Sequence, residues 1–300
     1  MKNLLNAENS GTPLIIIEKK AYQTWLEAQA LQNQNWLANT QYKGQGLALI
    51  PSSEGKLSQA LFVVSDANDY FACGDLIKQL PSGQYLLQAE QEHVEAISFG
   101  WLVGAYKFDR YISDKSDKKL ACLAINNTDI VNCAIKSAEA TALTRDLINT
   151  PAADMMPEHL SKAADDLAKQ FNAKVSHIVG DDLLTENYPT IHAVGRASVH
   201  TPRLIDLTWG DSKNPQITLV GKGVCFDSGG LDMKPAAGMR NMKKDMGGAA
   251  HVLGLAQLIM AHNLPLELRV LIPAVCLLST SDTANEPPAV GRGERRPHPP

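Results

Sequence analysis

Between Leu219 and Ala250 the chain reads LVGKGVCFDSGGLDMKPAAGMRNMKKDMGGAA. Four side chains in this stretch, Lys222, Asp227, Lys234 and Asp245, suit metal-assisted hydrolysis. Carboxylate oxygens are ligands for Mg²⁺ and Mn²⁺, and Zn²⁺ accepts them as well. Two divalent ions about 3.5–4 Å apart can share a water and lower its pKa towards neutrality. One carboxylate can bridge such a pair while another holds a single ion, and Asp227 and Asp245 are candidates for these tasks. A lysine ligates only as the neutral amine, and a nearby dication favours loss of its proton. Lys222 is the candidate for that role. Lys234, ahead of Pro235, can instead stay charged, polarise a carbonyl and stabilise the oxyanion formed on attack. Spacing alone leaves two other readings open. Glycines beside an aspartate also make plain tight turns, and GKG with GG suggests a phosphate loop, although the GxxxxGK[ST] order is absent. Cys225, two residues before Asp227, reads either as a ligand or nucleophile or as a small buried apolar residue.

These residues need a scaffold, and the hydrophobic pattern supplies one. The segments PLIIIE, GLALIP, ALFVVS and YLLQ read as strands, with helices expected over Ala21–Ala38 and Glu90–Tyr106. A long helix over Asp129–Leu147 ends near Thr150-Pro151, since proline disfavours helix at the residue before it. Pro157 opens another helix, reaching about Phe171. KVSHIVG, RLIDLTWG and ITLVGKG follow as strands, then a helix over Met242–His262, then the apolar strand LELRVLIPAV. The expected fold class is α/β. An N-terminal α/β domain (1–134) precedes a partial α/β catalytic domain (135–275) with a mixed, mostly buried sheet. Asp227 falls where a strand ends, and open α/β sheets bind ligands at the carboxyl ends of their strands. Asp245 precedes Gly247-Gly248, which allow close backbone approach.

Composition narrows the function classes. A net charge of -4 implies no polyanion partner, and no basic face or nucleic-acid motif is present. Lys243-Lys244 and Arg292–Arg296 read as solvated surface. No window approaches the about 18 apolar residues of a membrane span, and the N-terminus lacks a secretory apolar core. Five scattered cysteines without zinc-finger spacing read as reduced thiols, which points to the cytoplasm.

The run VGKGVCFDSGGLDMKP followed by MKKDMGGAA resembles the signature of the leucyl aminopeptidase (cytosol aminopeptidase) family. RDLINTPAADMMP (Arg145–Pro157) and AVGRAS (Ala193–Ser198) are similar to that family in the same order. The resemblance implies that Asp227 bridges two ions, that Lys222 and Asp245 hold one of them, and that Lys234 is the catalytic lysine. Met242 corresponds to a residue lining the pocket for the substrate's first side chain, with a core methionine as the competing reading. The implied reaction releases N-terminal, leucine-like residues from peptides with two Mn²⁺ or Zn²⁺ ions, in a cytoplasmic homohexamer.

The family pattern continues into Asn-Thr-Asp-Ala-Glu-Gly-Arg, which supplies two more carboxylates and an arginine for a bicarbonate ion. This chain has no such cluster; Asp282, Glu286 and Glu294 are differently spaced, and Arg292 has no matching context. The resemblance is read as ending at Val275, with residues 276–300 an aberrant, disordered tail. The expectation is therefore a truncated aminopeptidase with weakened metal binding and its last strand, ending at Val275, left as an exposed apolar edge. The alternatives are an inactive fragment or a non-enzymatic binding module, since some family members also bind DNA. The mild acidity argues against nucleic acid.

Overall fold

The computed structural model describes residues 3–113, 119–230 and 232–277. The chain divides into two compact units, Met1–Asp146 and Leu147–Pro300.

The first unit holds six strands, β1 (Leu5–Asn6), β2 (Thr12–Glu18), β3 (Gly46–Pro51), β4 (Leu57–Val64), β5 (Gln84–Gln88) and β6 (Cys122–Ala124). Their order is β1-β6-β5-β2-β4-β3, parallel except where β3 runs antiparallel to β4. Helices α1 (Tyr22–Glu27), α2 (Leu31–Asn39), α3 (Leu76–Gln79), α4 (Val94–Gly104) and α5 (Thr128–Asn149) accompany it. The apolar run in β2 follows from burial on both faces. Ile15 packs with Leu37, Ile50, Leu61 and Val63, whereas Leu14 and Ile16 join Ala60, Phe62 and Trp101. The helix expected over Ala21–Ala38 is interrupted: Ala30 is extended, and the Gln34 side chain donates to the Gln29 carbonyl at 2.8 Å.

The second unit contains β7 (Lys174–Val179), β8 (Arg203–Trp209), β9 (Gln216–Val220), β10 (Gly223–Asp227) and β11 (Glu267–Leu277). Its helices are α6 (Pro157–Phe171), α7 (Asp182–Thr185), α8 (Pro189–Gly195), α9 (Ala236–Met239) and α10 (Gly247–Ala261). Pro157 opens α6 as expected, and Asn172 ends it in the left-handed conformation. The sheet is mixed. β11 is antiparallel to β8 and parallel to β9 and β10, and β8 is antiparallel to β7. Leu268, Val270, Ile272 and Ala274 alternate along β11 as buried residues, while Arg269 grips Asp206 with two hydrogen bonds of 2.7 and 3.0 Å. α6 and α10 pack against β11.

Two expectations change here. β11 is not an exposed edge, because β8 flanks it on one side and β9 with β10 on the other. Among the described residues the margins are β7 on one side and the β9–β10 run on the other, and β9 exposes Ile217 and Val220. β11 also runs through Cys276 and Leu277, two residues past Val275. No described helix is long and apolar enough to cross a membrane.

Candidate metal centre

The local fold that carries Lys222 and Asp227 begins with a broken strand. β9 and β10 lie against β11 in one shared register, interrupted at Gly221-Lys222. The interruption has a specific cause. The Lys222 carbonyl accepts the Ala249 amide of α10 at 2.9 Å, so this peptide turns from the sheet to the helix. Only glycine permits the approach. A Cβ on Gly221 would lie 2.5 Å from Val252 Cγ2 and 2.8 Å from Ala249 Cα, and one on Gly248 would lie 2.8 Å from the Lys222 nitrogen.

Asp227 is the last residue of β10. Between Val224 and Asp227 the register slips, so that Cys225 and Phe226 together face Cys276. This bulge re-aims the strand end before the carboxylate. The loop beyond is closed by the Lys234 amide, which donates to the Ser228 carbonyl at 2.9 Å, and turns through Gly229 (φ 101°) and Gly230 (φ 75°). Asp227 Oδ1 accepts the Gly229 amide at 2.8 Å, and Oδ2 accepts Lys234 Nζ at 2.5 Å. Burial alone would raise the Asp227 pKa, but the Lys234 ammonium, the Gly229 amide and the charge of Lys222 outweigh it and hold the carboxyl below its ordinary value.

The helix expected over Met242–His262 starts as a tighter 3-10 segment, Met242–Met246, before α10 begins at Gly247. That segment packs against β10 and carries Asp245. Asp245 Oδ1 forms an ion pair with Lys222 Nζ at 2.9 Å, whereas its Oδ2 is buried with no hydrogen-bond partner. Met242, the first residue of the segment, is half-buried.

Lys222, Asp227, Lys234 and Asp245 thus converge as two lysine–carboxylate pairs, with Lys222 near enough to act on both aspartates. An orphaned, buried carboxylate oxygen is costly unless a cation or donor meets it. On that observation the residues fit a divalent ion, which would compete with Lys222 for Asp245. Among the described residues no third His, Cys, Asp or Glu joins Asp227 and Asp245 closely enough to share one ion with them. Asp282, Glu286, Arg292 and Glu294 lie outside the described residues.

Other residues around the centre take defined places. Cys225 is fully buried and its thiol pKa is raised by burial, which matches the small apolar reading and disfavours a nucleophile. Cys276 is pushed up to about 11 mainly by burial. Lys243 is not solvated surface: it is half-buried and donates to the Asn149 carbonyl at 2.9 Å. Ser228, which the sequence analysis does not single out, is buried with its hydroxyl unpartnered beside Asp227. Its position directly after the aspartate was the one signal available in the sequence.

Comparison with known proteins places this geometry in context. Residues 142–291 match the cytosol aminopeptidase family, catalytic domain, and residues 12–126 match the M17 aminopeptidase, N-terminal domain. The first match extends the resemblance past Val275, where the sequence reading ended it. A probable cytosol aminopeptidase of Wolinella succinogenes is 32% identical over 272 residues, covering 80% of this chain and 55% of the relative. The crystal structure of cytosol aminopeptidase from Coxiella burnetii superposes with a TM-score of 0.87 at 42% identity, over 95% of this chain and 62% of that one. The bottromycin maturation enzyme BotP in complex with Mn gives a TM-score of 0.73 at 25% identity, covering 89% of this chain and 59% of BotP. The chain spans about half the length of the curated relatives it matches, 55% for the Wolinella protein.

Proposed function

Because the chain belongs to the cytosol aminopeptidase family, we propose that its Lys222–Asp245 centre serves a metal-dependent aminopeptidase that releases N-terminal, leucine-like residues from peptides. The observation that carries the reading is the buried, unpartnered Asp245 Oδ2 beside Lys222. Lys222, Asp227 and Asp245 would hold the metal, with Asp227 shared between two ions. Bound there, Mn²⁺ or Zn²⁺ would supply Lewis acidity and a water of lowered pKa; the Mn complex of BotP supports manganese as a candidate.

The chain's own residues then have separate tasks. Lys222 would hold the cation as a neutral amine in place of its ion pair with Asp245. Asp227, whose carboxyl is held below its ordinary pKa by Lys234, Gly229 and Lys222 against the opposing effect of burial, needs no proton removed near neutrality before it binds a cation. Lys234, paired with Asp227 in the structure, would donate to the carbonyl oxygen of the scissile bond as negative charge develops there. Met242 faces the substrate's first side chain. Two carboxylates and one amine are the ligands available among the described residues, a set that alone would hold the ions weakly. Bicarbonate has no assigned arginine among the described residues. The working form under this reading is a cytoplasmic homohexamer.

The test is hydrolysis of leucine p-nitroanilide by the purified chain with Mn²⁺, against a Lys234→Ala variant. Metal-dependent turnover that falls at least 100-fold in the variant supports the assignment. Equal rates in parent and variant overturn the role of Lys234.

A further inference from the structure

The first unit carries a second group of metal-ligating side chains at the carboxyl ends of its parallel strands. β2 ends at Glu18 and β5 at Gln88, and the chain places β4 on one side of β2 and β5 on the other. Such a reversal opens a crevice at the strand ends. Just past β5, Glu90, Glu92 and His93 bring one donor atom each to within 4.8 Å of one another.

His93 sets this group apart from an ordinary acidic patch. Its imidazole is buried, only 5% exposed. Nδ1 lies 3.0 Å from Asn68 Oδ1, and an imidazole that donates to that oxygen presents Nε2 to the glutamates. Nε2 stands 3.6 Å from Glu90 Oε2 and 3.6 Å from Glu92 Oε1, beyond hydrogen-bond reach of either. Three metal-ligating atoms therefore face one another, and among the described residues no hydrogen bond joins the imidazole to either glutamate. Ligands of one tetrahedral zinc at 2.0–2.1 Å lie about 3.3–3.4 Å apart, close to this spacing. Direct ion-pair hydrogen bonds would be about 2.7–2.9 Å. Lys20, whose charge acts on both glutamates, is engaged with Glu18 at 2.6 Å.

We propose that Glu90, Glu92 and His93 form a divalent-cation site, with zinc the best match. One imidazole and two carboxylates supply three ligands, and both glutamates are open enough (70% and 72% exposed) for water to complete the fourth. Asn68 acts as a positioning residue that fixes the imidazole tautomer. An ion there ties the turn after β5 to the loop after β4.

The test is calorimetric titration of zinc into the metal-stripped 300-residue chain. Three forms are compared: the parent, a Glu90→Gln/Glu92→Gln variant, and an Asp227→Asn/Asp245→Asn variant. The expected result is one zinc equivalent that survives in the aspartate variant and weakens at least tenfold in the glutamate variant, whose exposed substitutions leave the fold intact. His93→Gln should lose the same equivalent. Equal zinc binding in the parent and the glutamate variant overturns the site, as does failure of the aspartate variant to bind zinc. In either case His93 would be an ion-pair partner of the two glutamates.

Discussion

At the scale of single residues, the centre is a balance of two lysines against two carboxylates, and each side chain can be tested without a substrate. Removing Lys234 leaves Asp227 Oδ2 without its charged donor. Lys234→Ala is expected to lower stability in the absence of metal by about 1–3 kcal/mol, measured by urea unfolding. The pH dependence has a definite sign. The folded pKa of Asp227 lies below the ordinary 3.8, so the stabilisation it provides is complete above that value and disappears as pH falls through the lower, folded pKa. The stability difference between parent and Asp227→Asn should therefore be constant near neutrality and shrink below about pH 4. A difference that grows on acidification would contradict the pairing. The sequence singled out these four residues as candidates because their types match the chemistry, and the structure brings them together. It did not disclose the pairing, Lys222 with Asp245 and Lys234 with Asp227, since that depends on where two loops meet.

At the scale of elements, the register of β9 and β10 and the position of α10 decide the geometry. Strand character and helix character were both readable from periodicity. The break at Gly221-Lys222 was not, because ITLVGKG reads as one strand and the cause lies about thirty residues away, at the Ala249 amide. The bulge at Cys225-Phe226 escaped for the same reason: alternation of apolar residues carries no mark of a one-residue slip. The helix break at Ala28–Ala30 contains no glycine or proline and depends instead on side-chain capture of the Gln29 carbonyl. Gly248→Ala tests the close approach. Alanine normally favours a helix by about 1 kcal/mol over glycine. Here its Cβ would press on the Lys222 nitrogen at 2.8 Å, so a net loss of about 1–3 kcal/mol is expected by thermal or urea unfolding. A stabilised variant would show that α10 and the strand break are not in contact.

At the scale of the whole molecule, the α/β class of both units was legible, while the identity of the exposed edge was not. The last strand in sequence was expected at the margin, yet β11 lies between β8 and the β9–β10 run, because a parallel crossover through α10 inserts it there. On that side the margin includes β9, whose sequence Gln-Ile-Thr-Leu-Val contains no charge to discourage pairing with another chain. Val220, 67% exposed, is the point of least protection. Val220→Lys is expected to reduce concentration-dependent association in light scattering and to change unfolding stability by no more than about 0.5 kcal/mol. Unaltered association would move the liability elsewhere.

The central claim is that Lys222, Asp227 and Asp245 hold a divalent cation, and the most direct measurement is Mn²⁺ binding to the metal-free parent and to Asp245→Asn. Both proteins would be titrated in parallel, with circular dichroism confirming that each is folded. The account predicts saturable binding by the parent and a loss of tenfold or more in the affinity of at least one Mn²⁺ in the variant, where the buried Oδ2 has become part of a neutral amide. Identical titrations of two folded proteins would contradict it and leave the four residues as a pair of internal ion pairs.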